Sequence, residues 1–141
     1  MSDRPSIPIP AKPVVASGSV GINTPSLLPT AATTHYAETT ATTVTPGTEQ
    51  TLISEAVPGG TTRYLTLVKV PFRHQGFFEI TAGGSRIGSG HTGPGRPDPH
   101  FAFDPPRPIS GGTTVEVKFT AQSGVPSTAC VDAYLMGGDS T

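Results

Sequence analysis

Residues 113–120, Thr-Thr-Val-Glu-Val-Lys-Phe-Thr, alternate strictly between apolar and polar side chains. Val115, Val117 and Phe119 fall on one face, and Thr114, Glu116, Lys118 and Thr120 on the other. Successive side chains of a strand point to opposite faces, so this run predicts a strand with one face in a core and one in water. The Gly111-Gly112 pair ahead of it reads as a tight turn. A half-buried strand needs a second layer to cover its apolar face, so the feature specifies a scaffold rather than a chemistry.

Other runs carry the same grammar. Residues 49–57 form a first strand, and Pro58-Gly59-Gly60 a turn. Residues 63–70 follow, with Tyr64, Val68 and Val70 on one face and Leu65 and Leu67 on the other. Apolar residues on both faces predict a central strand, or one covered by a neighbouring subunit. In residues 77–81, Phe78 and Ile80 share a face; Gly83-Gly84 closes a hairpin into Ser85-Arg86-Ile87-Gly88. Residues 88–100 read as the longest irregular stretch, after which Phe101 and Phe103 share the face of a short strand. The prolines of Asp104-Pro105-Pro106-Arg107-Pro108 donate no ladder hydrogen bond, which confines that segment to a sheet edge or a loop. Val131, Ala133 and Leu135 make one face of a final strand that ends before Gly137-Gly138.

Six to eight strands at this spacing, with no helical period, predict an all-β fold, an antiparallel β-sandwich or jelly roll. The expected core is Phe72, Phe78, Ile80, Phe101, Phe103, Val115, Val117, Phe119, Val131 and Leu135. Cys130 reads as a small buried apolar residue of the last strand.

Residues 1–46 differ from the module at 47–141. They hold seven prolines, four charged residues and, in Tyr36, a single aromatic. Proline fixes φ and lacks an N–H, so Pro5-Ser6-Ile7-Pro8-Ile9-Pro10-Ala11-Lys12-Pro13 is expected to be extended, largely polyproline II. Beyond it, Val14, Val15, Val20, Ile22, Leu27 and Leu28 are too sparse for a core of their own. Two readings compete for the segment, a flexible solvated tail and an extended N-terminal arm that orders on a partner; the second is the expectation here, with these residues and Ile7 and Ile9 as its anchors. The run at 39–45 is rich in threonine and has high β propensity.

Composition excludes several classes. Net charge is −1 with the basic residues scattered, so nucleic-acid binding by charge is not expected. No apolar run is long enough for a membrane helix, and the early prolines would break a signal peptide. The mature chain is therefore expected to begin near Met1 and to fold in a cytoplasm. A single cysteine provides neither a disulfide framework nor zinc spacing.

Catalytic motifs are lacking. His35, His74, His91 and His100 occur without a nucleophile elbow, and the glycine-rich stretch at 83–90 lacks the lysine and helix of a phosphate loop. His91, Asp98 and His100 share one stretch and carry ligand types a metal accepts. Pro97 and Pro99 hold Asp98 extended, however, and solvated loop histidines are the commoner case, so neither a metal nor another cofactor is expected. A long loop on a rigid scaffold suits recognition, with His91, Arg96, Asp98 and His100 as its contacts.

The order of turns and strands from Pro58-Gly59-Gly60 through Gly76-Phe77-Phe78-Glu79-Ile80, Gly83-Gly84-Ser85-Arg86-Ile87-Gly88 and Phe101-Ala102-Phe103 to Ile109-Ser110-Gly111-Gly112-Thr113-Thr114-Val115-Glu116-Val117 resembles the small jelly-roll modules of tailed-phage capsid decoration (cement) proteins. The charge-poor arm adds to the likeness. The resemblance implies a homotrimer on the outside of a virion, bound to the major capsid protein and to sister copies, with no catalytic residues. The alternative expectation is a tail- or fibre-associated module that reads a receptor or glycan through residues 88–100. A carbohydrate-binding domain or small sandwich enzyme is disfavoured by the absence of tryptophan.

Overall fold

A computed structural model of the chain describes residues 33–141. Eight strands run in order: β1 (Thr33–Thr43), β2 (Glu49–Ala56), β3 (Thr62–Lys69), β4 (Gly76–Ala82), β5 (Ser85–Thr92), β6 (His100–Ile109), β7 (Thr114–Ala121) and β8 (Cys130–Ser140). Among the described residues there is no helix. Two four-stranded antiparallel sheets pack face to face, with orders β1-β8-β3-β6 and β2-β7-β4-β5. The pairs β4·β5, β3·β6, β2·β7 and β1·β8 are nested. The chain is thus one long hairpin, turned at Gly83-Gly84 and rolled up until β3 meets β8 and β4 meets β7. This is the double Greek key of a jelly roll. Both turn glycines have positive φ, +60° and +85°, which matches the right-handed twist of the strands they join.

The alternation in β7 is realised fully: Val115, Val117, Phe119 and Ala121 are buried between the sheets. The rest of the expected core joins them, with Phe101 only half-buried at the margin. Phe72 packs edge-on against Phe119 at 4.9 Å, and Phe101 against Phe103 at 4.9 Å. Each buried Phe, Ile, Leu or Val removes enough apolar surface from water to favour folding by about 1.5–3 kcal/mol.

The two-faced apolar pattern of β3 has a local cause. A bulge between Leu65 and Leu67 resets the alternation, so Leu65 and Val68 both point inward while Tyr64 and Leu67 face outward. β6 is an edge strand of the first sheet, as its prolines require. Its register jumps from Arg107 opposite Leu65 to Ala102 opposite Leu67. Residues 103–106 therefore stand opposite Thr66 alone, and Pro105 and Pro106 occupy the gap in the ladder.

Four expectations need correction. The Thr-rich run belongs to β1, so residues 33–43 lie in the first sheet, on the module side of the expected boundary at 46. Residues 88–92 are strand, because inward-facing Gly88 and Gly90 leave space that the rings of Phe101 and Phe78 fill. β8 continues through Gly137-Gly138 to Ser140, because Gly137 passes against the Tyr64 carbonyl where no Cβ fits. Cys130 is exposed: it precedes inward-facing Val131, so strand parity turns it outward.

Candidate functional site

The antiparallel topology gathers the connections at 44–48, 70–75, 93–99 and 122–129 at one end of the jelly roll. The chain enters the described region at Thr33 and ends at the opposite end, where Thr33 pairs with Asp139.

The four expected recognition residues do not converge. His91 lies on β5 in the second sheet, its ring 5.0 Å from that of Phe77. His100 lies on β6 in the first sheet, opposite Lys69. Arg96 is exposed at the base of a Pro94-Gly95 turn, closed by paired Gly93 and Arg96 backbone hydrogen bonds of 3.2 and 2.9 Å. Asp98 is exposed and lies 3.6 Å from the Lys69 ammonium. No cluster of three ligand side chains able to hold a metal occurs among the described residues. The loop itself is pinned: the N–H groups of Val70 and Phe72 donate to the Pro99 and Pro97 carbonyls, at 3.2 and 2.8 Å. Beside it opens a cleft of about 420 Å³, lined by Phe72, Arg73, His74, Pro97, Cys130 and Asp132 among others.

The most buried charge sits at the other end. Arg63 is 4% exposed and faces inward on β3. Its Nε and Nη2 donate to the two carboxylate oxygens of Asp139 at 2.8 and 3.0 Å, and Nη1 donates to Glu55 at 3.3 Å. His35 Nε2 lies 2.6 Å from the same Glu55 oxygen. The hydrogen bond from Arg63 holds the Asp139 carboxyl below its ordinary pKa, and the same bond raises that of Arg63. Glu55 lies in the second sheet and the other three residues in the first, so the network ties the layers together. Each of the three guanidinium nitrogens donates one hydrogen bond to a carboxylate, which describes a clamp rather than a catalytic centre.

The two outer faces differ. The β2-β7-β4-β5 face carries charged pairs, Arg86 with Glu79 at 2.7 Å and Lys118 with Glu116 at 3.6 Å. The β1-β8-β3-β6 face carries all three tyrosines of the chain: Tyr36 on β1, Tyr134 on β8 and Tyr64 on β3. Register places Tyr36, Met136, Leu67 and Ala102 in one row across this sheet, and Glu38, Tyr134, Lys69 and His100 in the next. Tyr36 is 49% exposed, and its ring lies 6.3 Å from that of Tyr134. Partial burial raises the pKa of both phenols; the Glu38 carboxylate adds to this at Tyr36, and those of Asp132, Glu38 and Asp98 add to it at Tyr134. The sequence reading passed over this surface. Its signal was parity: Tyr64 and Tyr134 each stand next to an inward-facing residue of the core.

The expected arm anchors Ile7, Ile9, Val14, Val15, Val20, Ile22, Leu27 and Leu28 lie outside the described residues. No protein-family model, no curated protein and no solved structure matches this chain.

Proposed function

We propose that this protein is a structural component of a phage particle, a decoration protein that binds the outside of the head and stabilises it. The observation that carries the reading is the β1-β8-β3-β6 face, where exposed Tyr36 stands beside the partly exposed side chains of Tyr134, Met136 and Leu67, with Tyr64 on the same face. Tyrosine and methionine are enriched at protein interfaces because they bury large areas, and tyrosine keeps a polar tip. The jelly roll, a fold of viral capsid domains, agrees with the reading. Fold alone does not assign function, so the weight rests on the face. In this reading the partners are the major capsid protein and sister copies in a homotrimer, the location is the virion surface, and the segment ahead of β1 adds apolar contacts through its scattered Val, Ile and Leu residues.

The test is a solution mass measurement combined with rebinding to phage heads stripped of decoration. The expected result is a trimer that rebinds, and a variant lacking residues 1–30 that stays folded but no longer attaches. Unchanged occupancy without those residues overturns the role of the arm, and failure of the full chain to bind any head overturns the reading.

A second reading, a tail- or fibre-associated binding module, is favoured by the pinned loop at 93–99, which presents Arg96 on a fixed backbone. Electron microscopy of labelled particles separates the two readings by where the label lies.

A further inference from the structure

β1 is attached to the sandwich differently from the other strands. None of its side chains belongs to the buried core; Val44, just past its end, is the first that does. The residues it turns inward are His35, Ala37 and Thr39, all partly buried. Two of them are held to the second sheet by polar contacts: His35 to Glu55 at 2.6 Å, and the Thr39 hydroxyl, which donates to the Leu52 carbonyl at 2.6 Å. The rest of its hold is the backbone ladder with β8. Such a ladder supplies attachment through main-chain bonds, so the edge of β8 accepts this strand equally from its own chain or from a second copy.

The ladder is broken near its C-terminal end. Thr39 pairs with Ala133 and Thr42 with Val131, so Thr40 and Ala41 together stand opposite Asp132. Ala41 takes φ +53° there, and no other non-glycine residue has a positive φ among the described residues. A Cβ in that region crowds the carbonyl oxygen that follows, which is why a bulge with a left-handed residue ordinarily carries glycine. The conformation is held by the Asp132 carboxylate, which accepts the Ala41 N–H at 2.7 Å. Past the break the chain is fixed again. Thr42 and Thr43 stay in the ladder and Val44 is buried. The Gln50 side chain bonds the Thr45 N–H at 2.7 Å and the Thr43 carbonyl at 3.1 Å. Residues 33–39 are therefore a separate piece, joined to the rest by a strained two-residue link.

We propose that residues 33–39 exchange between copies, so that this part of β1 leaves its own sheet and pairs with β8 of a second copy. His35, Ala37 and Thr39 take the same places in the second copy that they hold in their own. What differs is the link: Thr40 and Ala41 straighten, and the strain at Ala41 is released. Exchange of an identical element joins copies without a new complementary surface, and strain in a short hinge favours it. That release works against the entropy of bringing copies together, so the exchanged form grows with concentration. The proposal deepens the sister-copy contact of the reading above. Its experiment contains no phage head, so its failure leaves head binding untouched.

Glu38 and Tyr134 are register partners across the β1–β8 ladder, which puts their side chains within reach of a disulfide. Two full-length preparations, both with Cys130→Ser, carry Glu38→Cys and Tyr134→Cys respectively. Mixed, unfolded in urea, refolded together and oxidised, they should form a 38–134 disulfide between chains, identified by mass spectrometry of the linked peptides. Its yield should rise with protein concentration. Ala41→Gly accepts a positive φ without strain and should lower the yield at least about fivefold. Ala41→Pro cannot take φ +53° and lacks the N–H that Asp132 holds, so it should raise the yield. The glycine variant keeps the fold, so the outcome does not hang on the proline one. Absence of the 38–134 disulfide at every concentration overturns the proposal. So does a yield unchanged in Ala41→Gly, because the hinge is then not what drives the exchange. Disulfides joining 38 to 38 or 134 to 134 as readily as 38 to 134 also overturn it, because the copies then meet at random.

Discussion

Arg63 and Asp139 face each other across the β3–β8 ladder and share two hydrogen bonds, 2.8 and 3.0 Å, with the guanidinium almost wholly buried. A buried pair of this kind contributes little compared with an apolar pair of the same shape, yet breaking it leaves one charge in the interior without a partner. Asp139→Asn should therefore cost about 3 kcal/mol of stability. Glu55→Gln should cost about 1 kcal/mol, since Glu55 is more exposed and its bond to Arg63 is longer, 3.3 Å. Urea unfolding of the two variants measures both, and equal losses would show that Glu55 carries the clamp as much as Asp139 does.

The same pair sets an acid limit. The Asp139 pKa is held below 3.8 by its hydrogen bond from Arg63, against the opposing effect of burial. A carboxyl depressed in the folded state contributes stability above its unfolded pKa and loses it as pH falls through the folded value. The raised pKa of Arg63 works in the other direction, and only at strongly alkaline pH. The urea midpoint should be level above about pH 5 and fall below about pH 4. In Asp139→Asn the fall should be shallower, because one of the groups that must take up a proton is gone.

Gly90 tests the packing of the edge strand. A Cβ on Gly90 would lie 2.5 and 2.6 Å from Cζ and Cε1 of Phe78, a ring only 1% exposed. Phe78 is enclosed and cannot swing aside, so Gly90→Ala should cost about 1–3 kcal/mol by overpacking. Adding Phe78→Leu should recover part of that cost, a coupling that a double-mutant cycle reads directly. Additive losses would mean that the strand moves rather than the ring.

How much of this was legible in the sequence follows from parity. Where alternation was clean, as at Val115, Val117 and Phe119, both the strand and its buried face could be read. Where glycine replaced a side chain, the pattern vanished: Gly88 and Gly90 looked like loop and are strand, because a neighbouring phenylalanine fills the place of the missing side chain. The Arg63–Asp139 clamp joins residues 76 apart in sequence, which no local pattern links. Its one sequence signal was an arginine in phase with inward-facing Leu65. The tyrosine face was hidden similarly, since its three members come from three strands that only the jelly-roll order makes neighbours.

That face can be removed without disturbing the core. Tyr36 is half exposed, and its ring lies 6.3 Å from that of Tyr134. Tyr36→Ala should change stability by no more than about 0.5 kcal/mol, as surface substitutions do. Attachment to phage heads should nevertheless fall by at least about tenfold if Tyr36 is an interface anchor. Occupancy on heads, measured with the unfolding midpoint held as a control, separates a binding role from a folding one.

Cys130 gives the last prediction, and it reverses the sequence expectation. A cysteine beside Val131 looked like a core residue, but Val131 is fully buried and strand parity sends its neighbour outward. The Cys130 sulfur lies 3.9 Å from the Thr128 carbonyl oxygen, a weak contact that does not shield it. A thiol reagent should therefore modify the native protein completely, at a rate close to that of the urea-unfolded chain. Modification should leave the urea midpoint unchanged, because the added group projects into solvent. Slow labelling that requires unfolding would place the sulfur inside the sandwich and contradict the register that pairs Thr43 with Cys130.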